Sequence, residues 1–358
     1  MVTFGIEEEY AFLDALTLLP SDVSPAVYRA LQVDRAESRH VQREFLLSQL
    51  ERPSPVCDTT ADALADLEGF RRRLGAAAER VGVIAAGSGT FPRFDRPGVV
   101  TDKPRYRRIT DEYGVLGGEH FLSGLHVHVH VPDREHGVRA MNALGSWMPV
   151  VAAISANSPL WRSEDTGFSS WRTINLQRWA TRGTPPQFAD AADYERRIAR
   201  VVGVGGTFDA ALVAWNMRLS DNFPTIEVRA ADAQLEAWQA VLVATVIRGL
   251  VSTALAGAVP PPLHPELIDS ALWHSARDGL TGGLVHPFSG EVVPARQVLG
   301  DLLEHIGAAL DREGDTAQVG EWLDRLLAEG TGAERQRAAF AQGGLPALGA
   351  LYRDTLAP

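Results

Sequence analysis

The sequence predicts an α+β fold, with an antiparallel sheet built from the first two thirds of the chain and helices dominating the last third. Three observations carry that expectation. Val2 to Phe12 reads as a strand, with Val2, Phe4, Ile6, Tyr10 and Phe12 apolar around the run Glu7-Glu8-Glu9. Ser123 to Val131 alternates strictly, with His126, His128 and His130 on one face and Val127, Val129 and Val131 on the other. From Ala233 onward the spacing is almost all helical, so strands and helices segregate and do not alternate as βαβ units.

After the first strand, Pro20 to Ser38 is polar and turn-rich, a loop with one helical turn. Arg43 to Glu51 is a strand that Pro53 and Pro55 end. Thr59-Thr60 caps a helix from Ala61 to Val81, with Leu64, Leu67, Phe70, Leu74 and Ala78 as its stripe. Val83 to Ser88 is a short buried strand, and the turn at Gly87-Ser88-Gly89 lacks both the Rossmann and the P-loop glycine spacing. Pro92 to Tyr113 is a basic, proline-containing loop, Gly124 to Pro132 a strand, and Arg134 to Asn157 mostly helix. Leu160 to Phe188 lacks periodicity, and a loop that long in a compact protein is usually functional or disordered. A helix over Ala191 to Val202 follows, then paired strands Thr207 to Leu219 and Thr225 to Ala231 around a turn at Asp221 to Pro224. Helices are expected over Ala233 to Ala256, Pro265 to Ala276, Pro294 to Leu310, Ala317 to Ala328 and Ala333 to Ala341.

The 358 residues suit one catalytic unit spanning 1–358, with sheet and site mainly in 1–257 and a helical part over 258–358. A net charge of -11 argues against nucleic acid or an anionic membrane as partner. Cys57 is the only cysteine, which excludes an internal disulfide and suits a reducing compartment. It follows Pro53-Ser54-Pro55 with no cationic neighbour, so it reads as a packing residue and not a nucleophile. The apolar run Ala237 to Val259 is interrupted by Gln239 and Arg248, which reads as a core helix and not a membrane span. No signal peptide is legible, and a cytoplasmic location is expected.

Four strands carry metal-type ligands. On the first, Glu7 and Glu9 share a face and Glu8 points the other way. Buried together, two such acids repel and lose hydration, and a hard divalent cation such as Mg2+ or Mn2+ removes both costs. On an exposed edge the same acids would simply be solvated. Glu44 and Glu51 bracket the second strand at an odd separation, so they reach one site only through a bulge or bend. The three histidines of the third strand must face water, a partner or a ligand. On the fourth, Glu227 and Arg229 share a face as either a structural ion pair or a metal ligand beside a phosphate-binding guanidinium.

Gly5-Ile6-Glu7-Glu8-Glu9-Tyr10, Glu44 with Glu51, Gly124-Leu125-His126-Val127-His128 and Ile226-Glu227-Val228-Arg229 fall in the order of the type 2 glutamate–cysteine ligase family, which the sequence resembles. The resemblance runs to about Gly257 and includes Asn157-Ser158-Pro159 and Trp171-Arg172. It implies a glutamine-synthetase-like curved antiparallel sheet with helices packed on one side, and ATP with Mg2+ (or Mn2+) as cofactors. It assigns Glu9, Glu44 and Glu51 to one metal and Glu7, His126 and Glu227 to the other. His126 is preferred to His128 because it follows Gly-Leu directly; Arg229 resembles the arginine that holds the γ-phosphate. Glu227 and Arg229 are thus the catalytic pair, and Arg172, Arg178, His128 and Arg229 the residues expected on ATP or substrate. The implied reaction is ATP-dependent amide formation through an acyl phosphate, from glutamate and cysteine or from another acid and amine. A homodimer is usual in such relatives.

Three rivals differ in what they require. A metal-dependent hydrolase using His126-x-His128 would want a single Zn2+-like centre and no nucleotide. A guanidino phosphotransferase would leave a phosphorylated product, and a binding module would show no turnover.

Overall fold

The computed structural model describes residues 2–31, 41–257 and 263–357. The chain opens with β1 (Phe4–Asp14), α1 (Ser24–Leu31), β2 (Gln42–Arg43), β3 (Gln49–Pro53), α2 (Thr60–Val81) and β4 (Val83–Ala86). Then α3 (Pro104–Tyr113) and the single turn α4 (Val115–Gly118) lead to β5 (Gly124–His130), α5 (Arg134–Leu144) and α6 (Met148–Ile154). A small hairpin, β6 (Leu160–Trp161) and β7 (Glu164–Asp165), precedes α7 (Trp171–Leu176), α8 (Ala191–Gly203), β8 (Met217–Leu219) and β9 (Thr225–Asp232). The remainder is α9 (Ala237–Leu255), α10 (Pro265–Asp278), the hairpin β10 (Gly283–Val285) and β11 (Val292–Pro294), α11 (Ala295–Glu313), α12 (Thr316–Glu329) and α13 (Gly332–Leu356).

One sheet organises the rest, in the order β2-β3-β1-β5-β9-β8 with β4 also beside β1, and every pairing is antiparallel. This is the α+β architecture that the segregated pattern predicts. The valines of β5 and Ile226 and Val228 of β9 are buried in the largest core cluster together with α5, α6, α9 and α11. Helix α9 packs against α2, α5, α11 and α12 as well as β1 and β5. Apolar almost all round, it has its membrane-length run 89% buried inside the fold, the core helix expected. On this buried side Glu8 pairs with Arg71 of α2, which also donates to the carbonyls of Leu235 and Gln234 at 2.8 and 3.0 Å. The short helices α3 and α7 instead wall the opposite, polar face, where Tyr106, Ile109 and Leu176 line an open basin.

Several elements differ from the sequence expectation for identifiable reasons. The expected loop at Pro20–Ser38 contains the two-turn helix α1, held by Val27 and Leu31 in a core cluster with α2; residues 32–38 lie outside the described residues, as does the end of the apolar run at Val259. The expected strand Arg43–Glu51 is interrupted: residues 44–48 turn between β2 and β3. Helix α3 occupies the expected loop Pro92–Tyr113, because Pro104 sits in the first turn of a helix, where a missing N–H costs nothing. Residues 207–216 are not strand, and Leu160–Phe188 holds a hairpin and α7. Helix α13 runs well past Ala341, across a break at Gly343–Gly344.

Candidate active site

The acids of the polar face meet because β1 lies between β3 and β5. Register places Glu9 opposite Glu51 and Glu7 opposite His126, while His128 faces Glu227 across β5 and β9. The turn at residues 44–48 removes the parity problem of the second strand. Glu51 stands on β3, Glu44 just beyond β2, and both line the same basin. A register shift between β5 and β9 at Leu125/Val127 sets Arg229 and Ala230 against His126, and on its other side the Arg229 N–H donates to the Asn216 carbonyl at 2.7 Å, continuing the β8–β9 register by one pair.

His126 stands at the centre. Its Nδ1 lies 3.5 Å from Glu7 and 4.0 Å from Glu227, and its Nε2 lies 3.8 Å from Glu9. Ligand atoms of Glu7, His126 and Glu227 fall within 4.8 Å of one another, as do those of Glu9, Glu51 and His126. Glu44 joins the second group through a side-chain contact with Glu51. His128 is differently placed: its Nδ1 is 2.9 Å from Thr225 Oγ1, and its buried Nε2, with no hydrogen-bond partner among the described residues, stands 3.4 Å from Glu7. Glu227 is gripped by Arg218 Nε at 2.8 Å and by Arg229.

Burial and then Glu44 push Glu9 up to about 7. Burial raises Glu44, and burial with the charges of Glu44, Glu7 and Glu9 raises Glu51 well above the usual carboxylate range. Three acids therefore crowd one part of the basin, where each keeps its proton more readily than a free carboxylate unless a cation joins them. For Glu7, burial acts upward, but His126 and His128 outweigh it and hold the carboxyl below its ordinary range. Burial is likewise overcome at Glu227 by Arg229 and Arg218. His126 is lowered to about 4 by burial and then Arg229, so at pH 7 it is the neutral imidazole that can ligate a metal. A carboxylate-rich set with one neutral imidazole fits two hard divalent cations of the Mg2+ or Mn2+ type.

The other expected residues are less central. Arg172, buried on α7, sends both terminal nitrogens to the Arg229 carbonyl at 3.3 Å and stands 3.9 Å from Asp232. Gly124 accommodates it, since a Cβ there would come within 2.4 Å of the guanidinium and 3.0 Å of His126. Arg178 is engaged with Glu119 at 2.9 Å, while its neighbour Trp179 and His120 wall the basin. Sequence reasoning missed His120, Tyr106 and Arg218. Only Arg218 leaves a signal, as a charge between Met217 and Leu219, two buried residues of a strand.

A model of glutamate–cysteine ligase family 2 matches residues 3–353. A protein of Salinispora arenicola provisionally named glutamate–cysteine ligase 2 is 40% identical over 341 residues, 94% of this chain and 89% of its own. A Streptomyces coelicolor protein of the same provisional name is 36% identical over 348 residues, 96% of each. Among solved structures, a glutamate–cysteine ligase of Francisella tularensis in complex with AMP superposes with a TM-score of 0.73 at 11% identity, over 99% of this chain and 88% of that one. A bifunctional glutathione synthetase of Pasteurella multocida gives 0.69 at 17%, over 99% and 52%. These two likenesses show the fold; the sequence matches show descent. The chain belongs to glutamate–cysteine ligase family 2, and is an enzyme of the ligase class.

Proposed function

We propose that this enzyme uses ATP and a divalent cation to join a carboxylic acid to an amine through an acyl phosphate, with glutamate and cysteine as the substrate pair and γ-glutamylcysteine as the product. The observation that carries the reading is the position of His126 between two carboxylate sets, with Arg229 beside both. Glu7, His126 and Glu227 would hold one cation and Glu9, Glu44 and Glu51 the other. Bound there, the cations would supply charge neutralisation at the transferring phosphoryl group.

The protein's own contribution follows from its geometry. Arg229, fixed by Glu227 and by its backbone bond to Asn216, presents a guanidinium to the γ-phosphate. An oxygen of the substrate carboxylate attacks the γ-phosphorus and ADP leaves. The amine nitrogen then attacks the carbonyl carbon, phosphate departs, and the nitrogen gives up a proton. Tyr106, His120 and Trp179 line the basin where the acyl phosphate would form and narrow the access of water to it. Partners on this reading are small molecules of the cytoplasm, and the whole chain works as one catalytic unit.

ADP release that requires acid, amine and Mg2+ together tests the proposal. Glu227→Ala and Arg229→Ala should each abolish it with the fold retained; a fully active Glu227→Ala enzyme contradicts the assignment.

A further inference from the structure

Two stretches marked in the sequence, Asn157-Ser158-Pro159 and Trp171-Arg172, meet at a carboxylate behind the site. It belongs to Asp232, the last residue of β9, three positions beyond Arg229 and opposite Gly124 of β5. Asp232 is 1% exposed and lines no part of the basin. Its Oδ2 accepts from the Asn157 N–H at 2.8 Å and from Ser158 Oγ at 2.7 Å, and its Oδ1 accepts from Ser170 Oγ at 2.9 Å. A carboxylate withdrawn from water needs such donors. The donors are themselves fixed: the Asn157 amide donates to the carbonyls of Gly87 and Ala233 at 2.9 and 2.6 Å, and its Oδ1 accepts from Gln336 of α13 at 2.6 Å.

Much of what Asp232 holds lies at the start of α7. Ser170 caps that helix, and Ser158 Oγ accepts from the Arg172 N–H at 3.0 Å. The Arg172 guanidinium, also buried, stands 3.9 Å from Asp232 Oδ1, too far for a hydrogen bond but close enough to balance its charge. Glu9 also acts on this guanidinium, but on the ligase reading Glu9 serves a cation, which leaves Asp232 as the charge partner that Arg172 keeps. So placed, Arg172 turns both terminal nitrogens to the Arg229 carbonyl at 3.3 Å, while the Arg229 N–H is held by Asn216. The peptide that carries the phosphate-facing arginine is therefore clamped from both sides.

We propose that Asp232 is a positioning residue for the reaction: it pins the start of α7 and balances the charge of Arg172, so that Arg172 secures the Arg229 peptide. The inference rests on the ligase reading and adds to it a residue that touches no substrate.

A double-mutant cycle tests it, read as kcat/KM for ADP release with Mg2+, ATP, glutamate and cysteine, well below the melting temperature of each variant. Asp232→Asn keeps the shape and removes the charge, and should lower kcat/KM about a hundredfold. Arg172→Lys keeps a cation but cannot grip the carbonyl with two nitrogens, and should lose a similar factor. If Asp232 acts through Arg172, the double variant should be no more than about threefold worse than Arg172→Lys alone. Losses that simply multiply would make Asp232 a structural residue; that result, a fully active Asp232→Asn or a fully active Arg172→Lys overturns the proposal. Should Asp232→Asn not fold, Ser170→Ala carries the same cycle, since it removes the donor to the carboxylate oxygen nearest Arg172. Its several-fold loss should vanish beside Arg172→Lys, and an equal loss in both backgrounds, or none, overturns the proposal as well. A crystal structure of Asp232→Asn reads the same claim without turnover: the Arg172 guanidinium should leave the Arg229 carbonyl while Asn157 and Ser158 stay in place, and an unmoved guanidinium contradicts it. That displacement, in a protein whose wild type releases no ADP, would sink the ligase reading alone.

Discussion

Glu51 shows at the scale of one residue how stability and function oppose each other. Its carboxyl is raised by burial and by three neighbouring acids, so ionising it in the metal-free protein is unfavourable. Glu51→Gln should therefore stabilise the metal-free protein, by on the order of 1 kcal/mol at pH 8 in a thermal melt, while lowering Mg2+-dependent activity about a hundredfold or more. A variant that loses both stability and activity would assign Glu51 a structural role. Glu9, pushed up to about 7, makes a signed pH prediction. Between its unfolded value and 7 the folded state holds a proton that the unfolded state has lost, so stability falls as pH rises. His126 acts oppositely below its ordinary value of 6.5 and is neutral in both states above it, so the window from 6.5 to 8 isolates the acids. The melting temperature of the metal-free protein should drop across that window, and Mg2+, whose binding displaces the protons, should bind more tightly as pH rises.

At the scale of elements, the site was legible where a strand runs unbroken and illegible where the chain bends. Alternation placed Glu7 with Glu9, set Glu8 apart, and separated His126 from Val127, and β1 and β5 show all three. Glu44 and Glu51 defeated the same rule, because the turn at residues 44–48 depends on packing of Phe45 and Leu46 into a core that periodicity cannot see. The walls formed by α3 and by residues 211–214 before β8 escaped for similar reasons, one hidden behind a helix-initiating proline and the other carried by a single 3-10 turn, Ala210–Leu212, too short for a periodic pattern. Gly124 is the closest approach in the site. Gly124→Ala should displace Arg172 or His126, cost about 1–3 kcal/mol in denaturant unfolding and reduce kcat. An alanine variant with unchanged stability and turnover would show that the sheet relaxes freely there.

Taken whole, the molecule is a sheet with one dry face and one charged face, and the dry face supplies the rigidity the charged one needs. Crowding carboxylates raises the energy of the fold, and the helix stack around α9 must offset it through apolar burial. The Glu8–Arg71 pair ties β1 to α2 and to residues 234–235 beneath the site. Arg71→Ala would leave the buried Glu8 carboxylate with the Tyr10 hydroxyl but no cation, and should lower stability by about 3–5 kcal/mol in denaturant unfolding, lowering activity only through the folded fraction. The sequence pattern foretold this division of faces but not the depth of the C-terminal helices in the core, since tertiary partners leave no mark on local spacing. Two divalent ions are expected to share this face around His126. Anomalous scattering from Mn2+ in crystals grown with a non-hydrolysable ATP analogue would locate them. Two peaks should flank His126, one among Glu7 and Glu227 and one among Glu9, Glu44 and Glu51; Mn2+ bound elsewhere, or absent from both positions, would rule out the two-ion site.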